Sequence, residues 1–280
     1  MIIKMYNISC QLIKQETDRG GVMIIFLFLF LFIFILSFSV KAQNTSYNQW
    51  CNELQFARAI NDKWAGELWL GGTFSSTDNE SRVFKTNIQR YGFAWVHYYF
   101  PPRWKFSSSL AYYYNKNVPD IGQYYSPEYR LTLQANYFIH KTRYILSTRM
   151  RGEIRYMMNA DSVFQVKYRY RQMLKFVKPI NGKVLRKGVF YFITSEELCF
   201  KPNAKTTGVT FFDRNRFEIG GGYLITDDFQ VELTYLNELL PRDDGNEIYN
   251  AVSLTITFNN LFSNLKKSLT SKSSKENQED

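Results

Sequence analysis

The sequence predicts an all-β fold: an antiparallel transmembrane β-barrel of about ten to twelve strands, preceded by a signal peptide. Three observations predict it. Apolar and polar residues alternate with a period of two over most of the chain after residue 42, as in strands with one apolar face. Aromatic residues make up 18% of the chain. The connections between these segments alternate between short and long along the chain, as in barrels that have short turns at one end and long loops at the other.

Composition excludes several other classes of protein. Mean hydropathy of −0.32 is too low for a bundle of membrane-spanning helices. Charged residues make up 21% and are spread along the chain, which argues against a disordered protein. Three cysteines are too few for a disulfide scaffold. The net charge of +10 comes from cations interleaved within strands rather than from one patch, so we expect no nucleic-acid partner.

The first 42 residues have the pattern of a targeting segment. Residues 22–40 are apolar and uncharged, basic residues precede them, and small residues stand at positions 40 and 42. This pattern predicts a secretory signal peptide over residues 1–42, with cleavage after Ala42. Because the apolar run is also long enough to span a bilayer, an uncleaved anchor is the alternative, and Met23 is an alternative start.

The barrel is predicted over residues 43–258, and residues 259–280 are predicted to be a polar, flexible tail rich in Lys and Ser. A spanning strand with its connection needs roughly 20 residues, which gives about ten to twelve strands. We count eleven alternating segments. Since single-chain bacterial barrels have even strand numbers, we expect about ten or twelve. The segments that decide between them are 50–60, which alternates weakly, and 206–212.

Seven segments alternate clearly, with mostly aliphatic and aromatic residues on one face and mostly polar or small residues on the other. In chain order they are residues 64–74, 106–114, 129–139, 164–170, 217–223, 229–235 and 252–258. The apolar face of a membrane barrel meets lipid. We therefore predict that Leu133, Tyr168, Phe217 and Leu254 face lipid.

Connections follow the same alternation. Short ones are predicted at 61–63, 101–103, 140–142 and 226–228, and long ones at 75–86, 115–127, 201–213 and 237–246. Tyrosines cluster beside them at 98–99, 112–114 and 124–125. Tyrosine prefers the membrane interface, so we predict that these clusters lie in aromatic girdles.

A basic ladder is the sharpest local feature. Its cations share one face of two successive segments: Arg149, Arg151, Arg155, Lys167, Arg169, Arg171 and Lys175. A charge on the lipid face costs about 2–4 kcal/mol at mid-bilayer, so the ladder is predicted to face the lumen. Either it pairs with inward carboxylates and fills the barrel, or it forms an electropositive lining that favours small anions. The candidate counter-charges are Glu153, Glu197, Glu218 and Glu232.

Few residues suit catalysis or a bound metal. The two histidines are His97, predicted in a girdle because aromatic residues flank it, and His140, predicted in a short turn. Neither has the nearby serine that a Ser–His hydrolase needs, and no spacing suits zinc. We therefore expect no enzyme, with no catalytic residues, no metal and no cofactor.

Several short motifs follow one another between residues 50 and 258. They are Lys63-Trp64, Arg149 to Glu153, Tyr168 to Arg171, Glu196 to Leu198, and Phe212 to Arg216 followed by Gly220 to Tyr223. Their order resembles a family of predicted outer-membrane barrels of Gram-negative bacteria that is known only as a domain of unknown function. The resemblance implies contact with outer-membrane lipid and insertion by the barrel-assembly machinery, and it implies no activity. The terminal Phe usual in such barrels corresponds to Phe258, which 22 residues follow.

Three functions stay open. The first is an outer-membrane barrel that is structural or a passive channel with a basic lumen. The second is a secreted β-barrel or β-sandwich that binds an apolar ligand, and the third is a lipid-modifying barrel enzyme. A soluble barrel places aromatic residues inside and charges outside, whereas a membrane barrel reverses this. The orientation of the two faces therefore distinguishes the first two functions.

Overall fold

The computed structural model describes residues 44–77, 80–121, 123–202, 211–242 and 245–260. The predicted signal peptide over residues 1–42 and the tail beyond residue 260 lie outside the described residues. Cleavage after Ala42 therefore stays a prediction.

The described residues form twelve β-strands and two short 3-10 turns, which confirms the predicted all-β fold. The strands are β1 (Asn44–Ala59), β2 (Trp64–Ser75), β3 (Asn87–Phe100), β4 (Trp104–Val118), β5 (Gln123–Tyr125), β6 (Glu128–His140), β7 (Ile145–Met158), β8 (Phe164–Pro179), β9 (Phe190–Phe200), β10 (Phe212–Thr226), β11 (Phe229–Arg242) and β12 (Gly245–Asn259). The 3-10 turns are Val83–Lys85 and Pro119–Ile121.

Eleven of these strands close into one barrel, and the short β5 pairs only with β4. Neighbours are antiparallel except at one place, where β1 and β12 pair in parallel. This parallel pair runs from Asn44 opposite Asn246 to Ala57 opposite Asn259. The ring therefore has no open sheet edge, which is the condition for a barrel to be stable without a partner strand.

The expected even number of strands is wrong. In an otherwise antiparallel ring of eleven strands the first and last point the same way, and the parallel β1–β12 pair accommodates this. Segment 50–60 belongs to a full strand, because β1 already begins at Asn44. Of segment 206–212 the structure describes only the last two residues, and Phe212 begins β10.

The connections gather at two ends, which we name the turn end and the loop end. The turn end carries residues 60–63, 101–103, 141–144, 180–189 and 227–228. Of the connections at the loop end, the structure describes residues 76–77, 80–86, 119–121, 123–127, 159–163, 201–202 and 211. The predicted long loop 237–246 is wrong, because β11 continues to Arg242 and β12 begins at Gly245. Its polar residues Asn237 and Glu238 stay in register with β12.

The outer surface is apolar and rich in aromatic residues. Leu133, Tyr168 and Phe217 are 60%, 47% and 39% exposed, and Leu254 lies half-exposed on the same outer face. These are the residues that the alternation assigns to the lipid face. No helix among the described residues has the length and apolar character needed to cross a membrane.

The tyrosine clusters do not lie entirely in girdles, because neighbouring residues of a strand point to opposite faces. Tyr112 and Tyr114 are exposed on the outside, whereas Tyr113 between them is buried in the lumen. Its ring lies 4.1 Å from the Arg130 guanidinium carbon. The girdle interpretation of Tyr113 is therefore wrong.

Candidate functional site: the charged lumen

The lumen contains the ladder cations. Alternation along β7 and β8 turns them to the inside of the barrel. Those that line the central cavity are Arg149, Arg151, Arg169, Arg171 and Lys175. Arg155 is buried beside the cavity, and Lys167 lies opposite it on the same face of β8.

Glu153 lies at the centre of an ion-pair network, and its side chain is 1% exposed. Its carboxylate accepts a hydrogen bond from Arg171 Nη1 at 2.9 Å. Arg130, Arg151 and Arg169 each bring a guanidinium nitrogen to within 3.6–3.9 Å of it. One buried carboxylate is thus shared by four cations.

Glu197 on β9 joins the ladder to β10. Its carboxylate bonds Arg149 and Arg171 and lies 3.4 Å from Arg216 Nη1. Arg216 in turn reaches Glu238 Oε1 at 2.8 Å. The predicted counter-charges Glu153 and Glu197 are therefore both in direct contact with ladder cations.

Glu128 joins β6 to β7 on the loop-end side of Glu153. It accepts two hydrogen bonds from Arg155, at 2.7 and 2.8 Å, in the bidentate geometry typical of Arg–carboxylate pairs. It also accepts one from Arg130 Nε at 2.7 Å. Glu128 is 1% exposed, so this pair is buried.

The sequence-based site did not include Arg130, Arg216 or Asp213. The alternation of β6 and β10 already placed Arg130 and Arg216 on polar faces, and that signal could have added them. Asp213 gives no such signal, because a register shift between Phe212 and Arg214 turns it inward. It then accepts a hydrogen bond from Arg214 Nε at 3.0 Å.

On the opposite wall a glutamate is held by a tyrosine instead of a cation. Tyr91 donates its hydroxyl hydrogen bond to Glu53 at 3.0 Å. Glu53, Gly71 and Tyr91 face one another in register across β1, β2 and β3. A Cβ on Gly71 would lie 2.5 Å from the Tyr91 ring. The glycine therefore gives the ring the space to lie across β2, and we name this arrangement a tyrosine–glycine row.

A second tyrosine–glycine row crosses β9, β10 and β11. Tyr191, Gly222 and Glu232 are in register, and the Tyr191 hydroxyl donates to Glu232 at 2.7 Å. A Cβ on Gly222 would lie 2.3 Å from the Tyr191 ring. Glu218, the remaining candidate counter-charge, accepts a hydrogen bond from Ser195 at 2.9 Å. Glu218 and Glu232 thus line the cavity with neutral hydroxyl partners.

The girdle prediction for His97 is wrong. His97 is 2% exposed and lies inside the barrel, stacked on Trp95 with ring centroids 5.9 Å apart. The β3–β4 register places Ser107 directly opposite, with its Oγ 2.8 Å from His97 Nδ1. His97 Nε2 lies 3.2 Å from Glu67 Oε2. The prediction that no serine lies near a histidine is therefore also wrong.

This Ser–His–Glu chain does not present a nucleophile to the cavity. Ser107 is buried, and it is not among the residues that line the cavity, whereas His97 and Glu67 are. His140, predicted in a short turn, is instead the last residue of β6, directly before the 141–144 turn, and its ring is stacked on Tyr144 at 3.8 Å. Within the described residues no group of three His, Cys, Asp or Glu side chains is placed to hold a metal ion. That the protein needs no cofactor stays a prediction.

The central cavity has a volume of about 550 Å³. Its lining includes nine cationic side chains and six carboxylates, a formal excess of three positive charges. One wall is aromatic, formed by Phe93, Trp95 and Tyr113 with Trp69 and Tyr91 packed against them. The lumen thus combines a basic wall on β4 to β8, carboxylates on the far wall and an aromatic wall on β2 to β4.

Comparison with known proteins gives one family. The family described as "Protein of unknown function (DUF2490)" matches residues 48–249. No curated protein matches the chain. A solved structure described as "Bacterial polysaccharide outer membrane secretin" is similar over 71% of this chain and 66% of its own, with a TM-score of 0.46 and 15% sequence identity. This chain thus spans just under two thirds of that protein's length.

Proposed function

The chain belongs to the family described as Protein of unknown function (DUF2490), and we propose that it is an outer-membrane β-barrel whose lumen is closed to free diffusion by its own side chains. The observation that carries the proposal is the polarity of the two faces. Guanidinium and carboxylate groups fill the inside, and large apolar side chains cover the outside. Water disfavours so large an exposed apolar surface, whereas hydrocarbon favours it because the closed ring satisfies the backbone.

The height of the apolar surface supports the same proposal. Along β4 the outward side chains run from Trp104, paired with Tyr137, to Tyr114, paired with Tyr125. That interval, at about 3.4 Å per residue and a strand tilt of about 40°, spans about 26 Å along the barrel axis. Transmembrane barrels carry an apolar band of about 25 Å flanked by aromatic girdles.

Charged side chains on the outer face also lie where a membrane barrel tolerates them, near the two membrane interfaces. At the outward positions of the described strands, charged residues lie near strand ends, as Arg58, Lys116 and Lys178 do. Glu196 is the exception, and it bonds Asn215 on the neighbouring strand. The secreted alternative requires an apolar interior for its ligand, which the charged cavity does not offer.

An apolar cluster lies toward each end of the lumen, in addition to the central ion-pair network. At the turn end, Val177, Ile193 and Leu224 pack together with Leu185 from the 180–189 connection. At the loop end, Tyr47, Leu240 and Tyr249 form a second apolar cluster. A barrel of eleven strands is narrow enough for large side chains to fill. The role we propose is structural and not enzymatic.

Substitution on the outer face tests membrane insertion. Leu133 lies near the middle of β6, so Leu133→Arg would place a charge in hydrocarbon at a cost of about 2–4 kcal/mol. We expect the wild type to fractionate with the outer membrane and to show heat-modifiable migration in detergent gels, and the variant to lose most of its assembled form. Tyr129→Arg on the same outer face, near the loop end, is the control and should assemble nearly as well. Equal assembly of all three proteins would contradict the proposal.

Conductance tests the closed lumen. Purified protein in a planar bilayer under a KCl gradient should give no steady current. A steady anion-selective current that weakens in Arg169→Ala would instead support the open, basic channel. A cation-selective current would contradict both the closed lumen and the open, basic channel. The nine cations and six carboxylates that line the cavity leave a net positive charge, which disfavours cations.

A further inference from the structure

Four cations converge on the turn-end part of the cavity: Lys105, Arg149, Arg151 and Lys175. We name them the turn-end cation cluster. Lys105 and Arg149 face Asn136 from both sides in one register row across β4, β6 and β7. Neighbouring strands lie about 4.8 Å apart, so the Cα atoms of these two cations are about 10 Å apart, and both side chains line the cavity.

Lys175 and Arg151 extend the cluster along the barrel axis. Lys175 lies opposite Ser147, two residues along β7 from Arg149. Arg151 is two residues from Arg149 in the other direction on the same face. Arg149, Lys175 and Arg151 are the cations whose charges act most strongly on Lys105. The four residues therefore form one electrostatic site.

The cluster is only partly balanced by negative charge. Glu197 bonds Arg149, but it is shared with Arg171 and Arg216. Within the described residues, neither Lys105 nor Lys175 has a carboxylate oxygen within 4.0 Å. Arg151 donates to the neutral Gln134 Oε1 at 2.7 and 2.9 Å, and its nearest carboxylate, on Glu153, is 3.8 Å away. Buried Arg149 Nε has no hydrogen-bond partner.

The other carboxylates that line the cavity have partners elsewhere. Glu218 accepts a hydrogen bond from Ser195, and Glu238 pairs with Arg214 and Arg216. Glu53 and Glu232 are bonded to tyrosine hydroxyls on the far wall. Glu67, the carboxylate whose charge acts on Lys105, lies 3.2 Å from His97 Nε2 and accepts a hydrogen bond from Trp69 Nε1 at 3.0 Å. Uncompensated charge in a poorly solvated lumen is costly, so an anion that enters the cavity lowers the free energy.

We propose that the turn-end cation cluster binds a phosphate-type oxyanion, either inorganic phosphate or the phosphate group of a small molecule. Guanidinium groups bind phosphate oxygens in bidentate geometry, and lysine ammonium groups add point charge. The cavity of about 550 Å³ lies within the usual range for small-molecule sites. Trp95, whose ring lies 5.3 Å from the Arg151 guanidinium carbon, lines the same cavity and adds apolar contact area beside the cluster.

The inference rests on the proposed function in one respect, that the cations face the lumen of a folded barrel. Folding is therefore measured separately, by heat-modifiable migration of each purified protein. Membrane location and conductance do not enter the binding measurement, so the proposed function can fail while the anion site stands.

Calorimetric titration of the purified full-length protein in detergent tests the site. The probes are inorganic phosphate and glucose 6-phosphate at constant ionic strength, with chloride as the ionic control. We expect saturable binding of phosphate that Lys105→Gln and Lys175→Gln each weaken roughly tenfold or more, because each removes a charged hydrogen-bond donor. Lys116→Gln and Lys178→Gln are matched controls on the same two strands, since both side chains are exposed, and they should bind as the wild type does.

The relative affinities for the two phosphate probes distinguish two kinds of ligand. Equal affinity for both phosphates supports a site for the free anion, and tighter binding of glucose 6-phosphate supports an organic phosphate that also uses the aromatic wall. Absence of saturable binding in the folded wild type would overturn the proposal. So would equal effects of inward and outward substitutions, or binding of chloride as strong as that of phosphate.

Discussion

Glu153 explains how the lumen accommodates so many buried cations. Arg130, Arg151, Arg169 and Arg171 all direct guanidinium groups at its carboxylate. Like charges so close together would repel, and a shared anion at their centre offsets part of that repulsion. Removing one partner of a buried ion pair destabilises a protein more than replacing both partners by apolar residues, because the other charge then remains buried without a counter-charge.

We therefore expect Glu153→Gln to destabilise the barrel strongly. The variant keeps the shape of the side chain but leaves four cations without their shared anion, at a cost of about 3–5 kcal/mol in the free energy of unfolding. Thermal unfolding followed by loss of heat-modifiable migration measures it. Glu80→Gln is the control, because Glu80 pairs with the exposed Arg82 and Lys85 in a loop and should leave the Tm unchanged. A Tm for Glu153→Gln equal to that of the control would show that the network does not stabilise the fold.

The sequence predicts the cations of this network better than their partners. Period-two alternation places Arg149 and Arg171 inward without knowledge of the fold. The same alternation would have turned His97 inward with Trp95, but the adjacent tyrosines suggested a girdle instead. Ser107 meets His97 only through the β3–β4 register, which no local pattern encodes.

At the scale of the strands, the tyrosine–glycine rows show why particular glycines stand in the sheet. Glycine within a strand usually weakens it. In both rows, however, the tyrosine ring lies where a Cβ of the glycine would be, and the tyrosine hydroxyl thereby reaches a glutamate two strands away. The sequence shows the triple Gly220-Gly221-Gly222 but not this reason, because the row exists only once β9, β10 and β11 are in register.

We expect Gly222→Ala to destabilise the protein by about 1–3 kcal/mol, since the new methyl group would displace the Tyr191 ring and break its bond to Glu232. Gly152→Ala is the matched control in a strand, because a Cβ there meets no atom within 4 Å, and its Tm should stay the same or rise slightly. Tyr191→Phe, which removes only the hydroxyl, should have a smaller effect than Gly222→Ala. Equal Tm values for the two glycine variants would contradict the packing role of Gly222.

At the scale of the whole molecule, the barrel departs from the expected even strand number at the parallel β1–β12 pair, which we name the seam. Counting alternating segments gives the correct number of barrel strands, and the rule of even numbers gives the wrong one. The rule fails here because parallel pairing, though slightly weaker per residue than antiparallel pairing, extends over nearly the full length of β1 and β12. Sequence patterns indicate which residues are strands, but they do not indicate which strand meets which at the seam.

Crosslinking tests this parallel seam directly. Asn48 and Asn250 are register partners across β1 and β12, so their Cα atoms are about 4.8 Å apart. In a background with all three cysteines of the chain, Cys10, Cys51 and Cys199, replaced by serine, cysteines at positions 48 and 250 should therefore crosslink with a short bifunctional thiol reagent. The reference pair is Asn237 and Asn250 across the antiparallel β11–β12 pair, which should crosslink equally well.

The register is tested by a displaced pair. Cysteines at positions 48 and 254 are offset by four residues in the same parallel register, which separates their Cα atoms by about 14 Å. They should crosslink far less than the pair at 48 and 250. If the reference pair reacts and the pair at 48 and 250 does not, β1 does not lie beside β12. If the displaced pair reacts best, the seam has a register shifted by four residues, which keeps the same side chains facing the lumen because side chains alternate with a period of two, but changes which residues of β1 and β12 lie side by side.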